Sequence, residues 1–311
     1  MENEVLSRIL PARVTEGLKA LSADKLTEIR LRSNRSVTVQ YGGVFRYLSP
    51  GGLLSMPQQA VTVTQSDVEQ TVLRACEKSL YAVNDRICAG FLTLSSGIRL
   101  GIAGETVFDG DKIRAVKNFA ALNIRIPHEV KGCAATVLPM LKSGNTYHTT
   151  LVLSPPGAGK TTILRDIARQ IGDAFPVRNV LIADERSELA ASTFGTASLD
   201  VGQNTDVITG CTKAFAFERA IRSLRPDVMI TDELTCEDDA FAVLGAAESG
   251  ITVFASVHAD SLDGMCKKPW IAPLIEAGAF TRYVLLSERH GVGTIEGVFN
   301  ADFSLLAAGA P

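Results

Sequence analysis

Leu151-Val152-Leu153-Ser154-Pro155-Pro156-Gly157-Ala158-Gly159-Lys160-Thr161-Thr162 is the stretch that decides how this chain is read. Leu151 to Leu153 form an apolar strand stub. Ile163, Leu164, Ile167, Ala168 and Ile171 then recur at helical spacing, and Gly172 is placed to end that helix. A glycine-rich turn between a strand and a helix lets backbone N–H groups wrap a phosphate chain at the helix N-terminus. The whole of Ser154 to Thr162 therefore reads as a phosphate-binding loop. Lys160 would reach the β- and γ-phosphates of ATP, and Thr161 would put its hydroxyl on Mg²⁺. The usual pattern opens with glycine; Ser154 stands there instead, still a small residue.

The 311 residues allow about two domains with ample core. Apolar residues make up 46% and charged ones 21%, the balance of a folded globular chain. No apolar run reaches the ~18 residues of a membrane span. Met1 to Leu10 carries Glu2 and Glu4 and lacks a basic-then-apolar signal, so a cytoplasmic chain is expected. Cysteines at 76, 88, 133, 211, 236 and 266 make no C-x-x-C, so they read as reduced thiols and not as zinc ligands.

A net charge of −3 gives no general pull toward nucleic acid. The halves differ in sign, however. Residues 1–135 hold 17 Lys/Arg against 13 Asp/Glu, or +4, and residues 136–311 hold 14 against 21, or −7. Opposite signs suit head-to-tail contact between neighbouring copies of the chain.

Along the N-terminal half, residues 1–30 read as helical with a break at Pro11. Val37–Gln40 with Val44–Tyr47, Phe91–Leu94 with Ile98–Ile102, and Val107 with Ile113 flank turn signals and read as three hairpins. Residues 48–60 read as a loop. Ser66-Asp67 opens a helix with Val68, Val72, Leu73 and Cys76 on one face. Residues 1–138 are thus expected to form an α+β domain with an antiparallel sheet. In residues 139–311, apolar strands at 151–153, 179–183, 228–231 and 251–257 alternate with helix-length segments. That order implies α/β architecture, a parallel sheet with helices on both faces. The boundary falls near Pro139–Tyr147, with Ser143-Gly144-Asn145 as a flexible joint.

Ligands of such sheets bind at the carboxyl ends of the strands. After the phosphate loop, the next such end is Asp184-Glu185-Arg186-Ser187-Glu188, then Asp232-Glu233, then His258. Asp-Glu after a mostly apolar run and downstream of a phosphate loop reads as a Walker B pair. Asp232 would hold the magnesium hydration shell, and Glu233 would orient or deprotonate the attacking water. His258 could sense the γ-phosphate or hold that water. Glu185 could assist the water. Arg186 could pair with Glu188 or reach phosphate. Phosphoryl transfer also needs extra positive charge at the γ-phosphate. Arg99 and Arg125 lie between apolar residues, a costly place for arginine without a partner. Each reads either as an intrachain ion pair or as a finger reaching a neighbour's ATP.

In order, the phosphate loop, Asp184-Glu185-Arg186-Ser187-Glu188, Arg225-Pro226-Asp227 ahead of Asp232-Glu233, and Ser256-Val257-His258-Ala259 resemble the secretion-type ATPases of type II and type IV systems. More closely the chain resembles the stage III sporulation AA family of endospore-forming bacteria. Glu28–Arg32, Gly90–Ser95, Ile98–Gly104, Asn123–Ile126 and Gly293–Gly297 carry that likeness over nearly the whole sequence. Ser154 departs from it, and so does Ile98, which stands where histidine is expected. The resemblance implies a RecA-like ATPase domain behind a smaller N-terminal domain. It also implies a homo-oligomer, a hexamer, on the mother-cell side of the forespore membranes. Such a motor would power a channel complex through membrane-protein partners, without entering the membrane and without binding nucleic acid directly. The competing reading is a nucleic-acid-dependent RecA-like ATPase. It is disfavoured by a pI near 5.9 and by the lack of an aromatic-basic stacking segment.

Overall fold

The computed structural model describes residues 2–77, 83–94, 97–127, 129–192 and 195–308. The chain divides into two compact units, Met1–His128 and Glu129–Pro311.

The first unit contains α1 (Glu2–Ile9), α2 (Ala12–Leu18), β1 (Leu26–Arg32), β2 (Arg35–Ser36), β3 (Thr38–Tyr41), β4 (Val44–Ser49), β5 (Gly52–Leu54), β6 (Thr62–Val63), α3 (Gln65–Ala75), α4 (Asn84–Cys88), β7 (Phe91–Thr93), β8 (Arg99–Asp109) and β9 (Lys112–Arg125). Seven strands form one antiparallel sheet in the order β5-β4-β3-β1-β9-β8-β7. The expected hairpins are there. Gly42 and Gly43, both at positive φ, make the tight turn between Tyr41 and Val44. Ser95 and Ser96 of the second hairpin lie outside the described residues. Helix α3 begins one residue before the expected start, capped by Thr64 in a capping box with Asp67. Its Val68, Val72 and Cys76 are buried, and Leu73 is half-buried.

Two expectations need correction here. Residues 26–30 are strand, not helix. Thr27-Glu28-Ile29-Arg30-Leu31-Arg32 alternates with period two, and Ile29 and Leu31 are fully buried. The stretch 48–60 is not all loop, because Pro50-Gly51 turns β4 back into β5.

Arg99 and Arg125 also lose the argument that made them look unpartnered. Arg125 stands opposite Glu28 in the β1–β9 register, with Nε 3.7 Å from the Glu28 carboxylate. Glu28 is also held by Arg30. The Arg99 guanidinium lies 4.1 Å from the centroid of the Phe91 ring.

The second unit contains β10 (Lys142–Ser143), β11 (Thr146–Tyr147), β12 (Thr150–Ser154), α5 (Lys160–Gly172), β13 (Val180–Asp184), β14 (Thr205–Thr209), α6 (Lys213–Ser223), β15 (Val228–Thr231), α7 (Glu237–Glu248), β16 (Thr252–His258), α8 (Leu262–Cys266), α9 (Ala272–Glu276), β17 (Arg282–Ser287), β18 (Thr294–Asn300) and β19 (Leu305–Ala308). The sheet order is β14-β13-β15-β16-β12-β17-β18-β19. From β14 to β17 every neighbouring pair is parallel, and β18 and β19 add an antiparallel edge. Alternate residues of one strand feed opposite faces. Leu151 and Leu153 join Phe217 of α6 and Val243 of α7, whereas Val152 joins Ile163 and Ile167 of α5. Burial on both faces is why these strands read as unbroken apolar runs.

The division between units falls ahead of the expected 138/139 boundary. Ala134, Val137, Leu138 and Leu141 sit in the same apolar cluster as Ile163 and Ile182. Ser143-Gly144-Asn145 is no joint; it turns β10 into β11 within the second unit.

Asp166 of α5 pins the start of this unit. Its buried carboxylate accepts the N–H groups of Gly132 and Ala134 at 3.0 and 2.8 Å. Burial alone would raise this carboxyl; the Ala134 and Gly132 amides, with Arg169 and Gln170, outweigh it and hold it below the usual carboxylate range. The folded form therefore takes up this proton less readily than the unfolded chain. The resulting stability is complete above about pH 4 and is lost as the pH falls further. Asp166→Asn is expected to flatten that acid loss and to cost roughly 2–3 kcal/mol at neutral pH. Chemical denaturation of parent and variant between pH 3 and 7 checks this, and parallel pH profiles would refute it.

Candidate nucleotide site

The parallel register brings the expected residues to one edge. Ser154 pairs with His258 across β12–β16, Thr231 with Ala255 across β15–β16, and Ala183 with Thr231 across β13–β15. The phosphate loop, His258, Asp232 and Asp184 therefore leave the sheet side by side, at its carboxyl end.

The loop itself depends on two glycines in the left-handed region, Gly157 at φ 86° and Gly159 at φ 92°. Gly159 caps α5, so the first N–H groups of the helix have no intrahelical acceptor and face the loop. Lys160 is nearly buried, at 6% exposure. Its Nζ lies 3.2 Å from Ser154 Oγ, 3.4 Å from the Pro155 carbonyl and 2.8 Å from His258 Nδ1. Ser154 thus seats the lysine in a way that glycine could not. It also donates to the Pro155 carbonyl at 2.7 Å. Burial pushes the Lys160 ammonium below its usual range, against the upward pull of Asp232 and Glu233.

The Walker B pair is held from both sides. Asp232 accepts one hydrogen bond from Thr161 Oγ1 and one from Ser256 Oγ. Ser256 Oγ in turn accepts the Glu233 N–H at 2.8 Å. Glu233 has a positive φ of 54°, a strained conformation for a residue with a side chain. Its Oε2 lies 2.6 Å from Arg186 and its Oε1 lies 3.3 Å from His258 Nε2. An ammonium has no acceptor, so Nδ1 of His258 takes the hydrogen bond from Lys160. The ring proton then belongs on Nε2, facing Glu233. Lys160, His258, Glu233 and Arg186 form one continuous polar line.

The remaining expected residues divide. Glu185 lines the same concavity as Asp232 and Glu233. Its carboxylate, however, is occupied by the buried Lys213 at 2.6 Å, and Lys213 also lies 3.6 Å from Asp239. That argues for an anchoring ion pair, not for a second base. Arg186 pairs with Glu233, not with Glu188. Asp184 accepts the N–H groups of Glu188, Leu189 and Ala190 at 2.8, 3.2 and 2.8 Å, and so shapes the charged loop. Arg165 of α5 donates to the Leu189 and Glu188 carbonyls of the same loop. Sequence reading gave no role to Arg165, Lys213 or Ser256. The available signal for Ser256 was a hydroxyl interrupting the apolar run from Val253 to Val257.

Thr161 Oγ1 and the Asp232 carboxylate are hard oxygen donors in direct contact, a set that suits Mg²⁺ beside phosphate. The residues present therefore fit that ion.

A family model for Sporulation stage III, protein AA matches residues 2–306. Stage III sporulation protein AA of Bacillus subtilis (strain 168) is 32% identical to this chain over 98% of it and 97% of its own length. Among solved structures, the ATPase DotB of Legionella pneumophila superposes with a TM-score of 0.60 at 12% identity, covering 90% of this chain and 77% of its own. The pilus retraction motor PilT, solved with bound ADP, gives 0.58 at 15% identity, with 88% and 78% covered. These two likenesses are of fold: a RecA-like domain behind an N-terminal domain.

Proposed function

This chain belongs to the sporulation stage III protein AA family, and on that premise we propose that its second unit hydrolyses ATP to drive mechanical work. The observation that carries the reading is the polar line from Lys160, hydrogen-bonded to His258, on to Glu233 at 3.3 Å from the same imidazole, lying beside the Thr161–Asp232 pair.

The loop amides from Gly157 to Thr161 and the Lys160 ammonium hold the β- and γ-phosphates. Thr161 and Asp232 would hold Mg²⁺, which supplies charge neutralisation on the phosphate oxygens when bound. Glu233 takes the proton of a water as that water attacks the γ-phosphorus. The bond to the bridging oxygen breaks, and ADP leaves with phosphate. His258, with its proton on Nε2, keeps the Glu233 carboxylate oriented. When Lys160 turns from His258 to phosphate, the imidazole loses its donor at Nδ1. Phosphate occupancy is thereby communicated to Glu233.

The family resemblance extends the reading to a ring of six copies working from the cytoplasm with membrane proteins of a sporulation channel complex. Attachment through protein partners is part of that reading. Among the described residues no helix is long and apolar enough to cross a membrane. The opposite charges of the two halves suit contacts between copies.

The test is phosphate release from ATP by the full chain, with and without Mg²⁺, followed by light scattering in both conditions. Mg²⁺-dependent release from an oligomer is expected. A chain that neither binds nor hydrolyses ATP overturns the reading, and full activity from a strict monomer overturns the ring.

A further inference from the structure

The turn between β17 and β18, Glu288-Arg289-His290-Gly291-Val292-Gly293, lies against the phosphate loop. Strand β17 runs parallel beside β12, with Leu151 opposite Tyr283 and Leu153 opposite Leu285, so its carboxyl end emerges next to the loop. It does so on the flank of β12 away from β16 and β15, the strands that lead into His258 and Asp232.

The contact is a built one. Gly293 donates its N–H to the Ala158 carbonyl at 3.2 Å. A Cβ placed on Gly159 would lie 3.3 Å from Val292 Cγ1, and one on Gly157 would lie 3.1 Å from Glu288 Oε1. The turn is braced internally as well. Thr294 Oγ1 donates to the Gly291 carbonyl at 2.7 Å and accepts the His290 N–H at 3.3 Å. Ser287 Oγ accepts the Arg289 N–H at 3.1 Å and donates to Glu296 at 2.5 Å, while Arg289 Nη1 lies 3.4 Å from Glu296. Glu288 and Val292 remain exposed, Val292 at 70%.

A nucleotide in this loop has a direction. Its γ-phosphate must point toward Asp232, Glu233 and His258. Its nucleoside then leaves over the other flank of β12, where this turn stands. A carboxylate over a phosphate loop is unfavourable for phosphate, since like charges repel. It is well suited to a pair of sugar hydroxyls, because an ionised carboxylate only accepts hydrogen bonds and a diol offers two donors.

We infer that the Glu288–Gly293 turn is the nucleoside subsite, with Glu288 accepting hydrogen bonds from the ribose hydroxyls and Val292 packing on the apolar face of the nucleoside. This rests on the nucleotide reading proposed above. It makes Glu288 a specificity residue with effects of opposite sign. Glu288 favours ribonucleotides over deoxynucleotides, and it opposes polyphosphate that carries no sugar.

The experiment measures affinities of the full chain for ATP, 2′-deoxy-ATP and inorganic tripolyphosphate in Mg²⁺, for the parent, Glu288→Ala and Glu288→Gln. The parent is expected to prefer ATP over 2′-deoxy-ATP by about tenfold, the effect of one charge-assisted hydrogen bond. Glu288→Ala should reduce that preference to roughly twofold or less and bind tripolyphosphate at least as tightly as the parent. Glu288→Gln, which keeps one acceptor oxygen, should fall between. An ATP to 2′-deoxy-ATP ratio unchanged by either substitution overturns the subsite. Equal weakening of all three ligands also overturns it, since that would mark Glu288 as a support of the loop. A parent that binds tripolyphosphate and ATP equally well overturns the subsite and leaves the phosphate loop standing. A parent that binds none of the three overturns the nucleotide reading and the subsite together.

Discussion

Glu233→Gln is expected to bind ATP as tightly as the parent and to release phosphate about 10²–10⁴-fold more slowly. Glutamine keeps the shape of the side chain. Its carbonyl oxygen can still accept from His258 or Arg186, which flank the carboxylate at 3.3 and 2.6 Å. The backbone N–H remains on Ser256 Oγ, so the strained turn that aims residue 233 has the same support. What is lost is the ability to take a proton from water, and that loss falls on turnover alone. The three contacts of Lys160 do not include Glu233, which is why affinity should survive. Equilibrium binding of ATP together with single-turnover phosphate release separates the two quantities. Turnover at the parent rate would remove Glu233 as the base. Glu185 would not be the obvious replacement, because Lys213 already holds its carboxylate at 2.6 Å.

How much of this could be read from sequence depended on whether the deciding contact was local. The phosphate loop was legible because strand, turn and helix are consecutive, and because positive φ at Gly157 and Gly159 demands glycine. The ends of β13, β15 and β16 were legible because strands buried on both faces produce apolar runs that stop at a polar residue, Asp184, Asp232 and His258 in turn. Strand β14 was not. It is an edge strand, with none of Thr205–Thr209 buried, and so it shows no such run. The partner of Arg125 was equally hidden. Glu28 faces it only through the register of β1 on β9, a pairing of residues nearly a hundred positions apart. The turn at 288–293 belongs to the same class. Its sequence has no phosphate-binding pattern, and its place beside Gly157 and Gly159 follows from the adjacency of β17 and β12. Helical periodicity also misled at residues 26–30, where a two-residue alternation was absorbed into a helical reading of the N-terminus.

Lys160→Met is expected to weaken ATP binding by roughly 10²-fold or more and to abolish turnover, while costing the protein no stability without nucleotide. The two effects come from one fact. Lys160 is 6% exposed, and its ammonium is satisfied by a hydroxyl, a carbonyl and an imidazole, with no carboxylate in contact. Burial without a close counter-ion depresses its proton affinity, although Asp232 and Glu233 act in the opposite direction from farther away. The folded state therefore holds this proton less firmly than the unfolded chain does. That cost is present at neutral pH and is relieved as the pH rises toward the ordinary lysine value of 10.5. Methionine fills similar volume and carries no such cost. At pH 7 the variant should match or exceed the parent in stability, and the difference should shift toward the parent as the pH rises. Nucleotide reverses the balance, because phosphate oxygens supply the counter-charge that the folded protein withholds. Denaturant titrations between pH 7 and 10.5, paired with calorimetric ATP binding, check both effects. A stability difference independent of pH would mean that the ammonium is not strained by burial. Parent-like ATP affinity in the variant would mean that Lys160 does not meet phosphate, and its contact with His258 would then be structural.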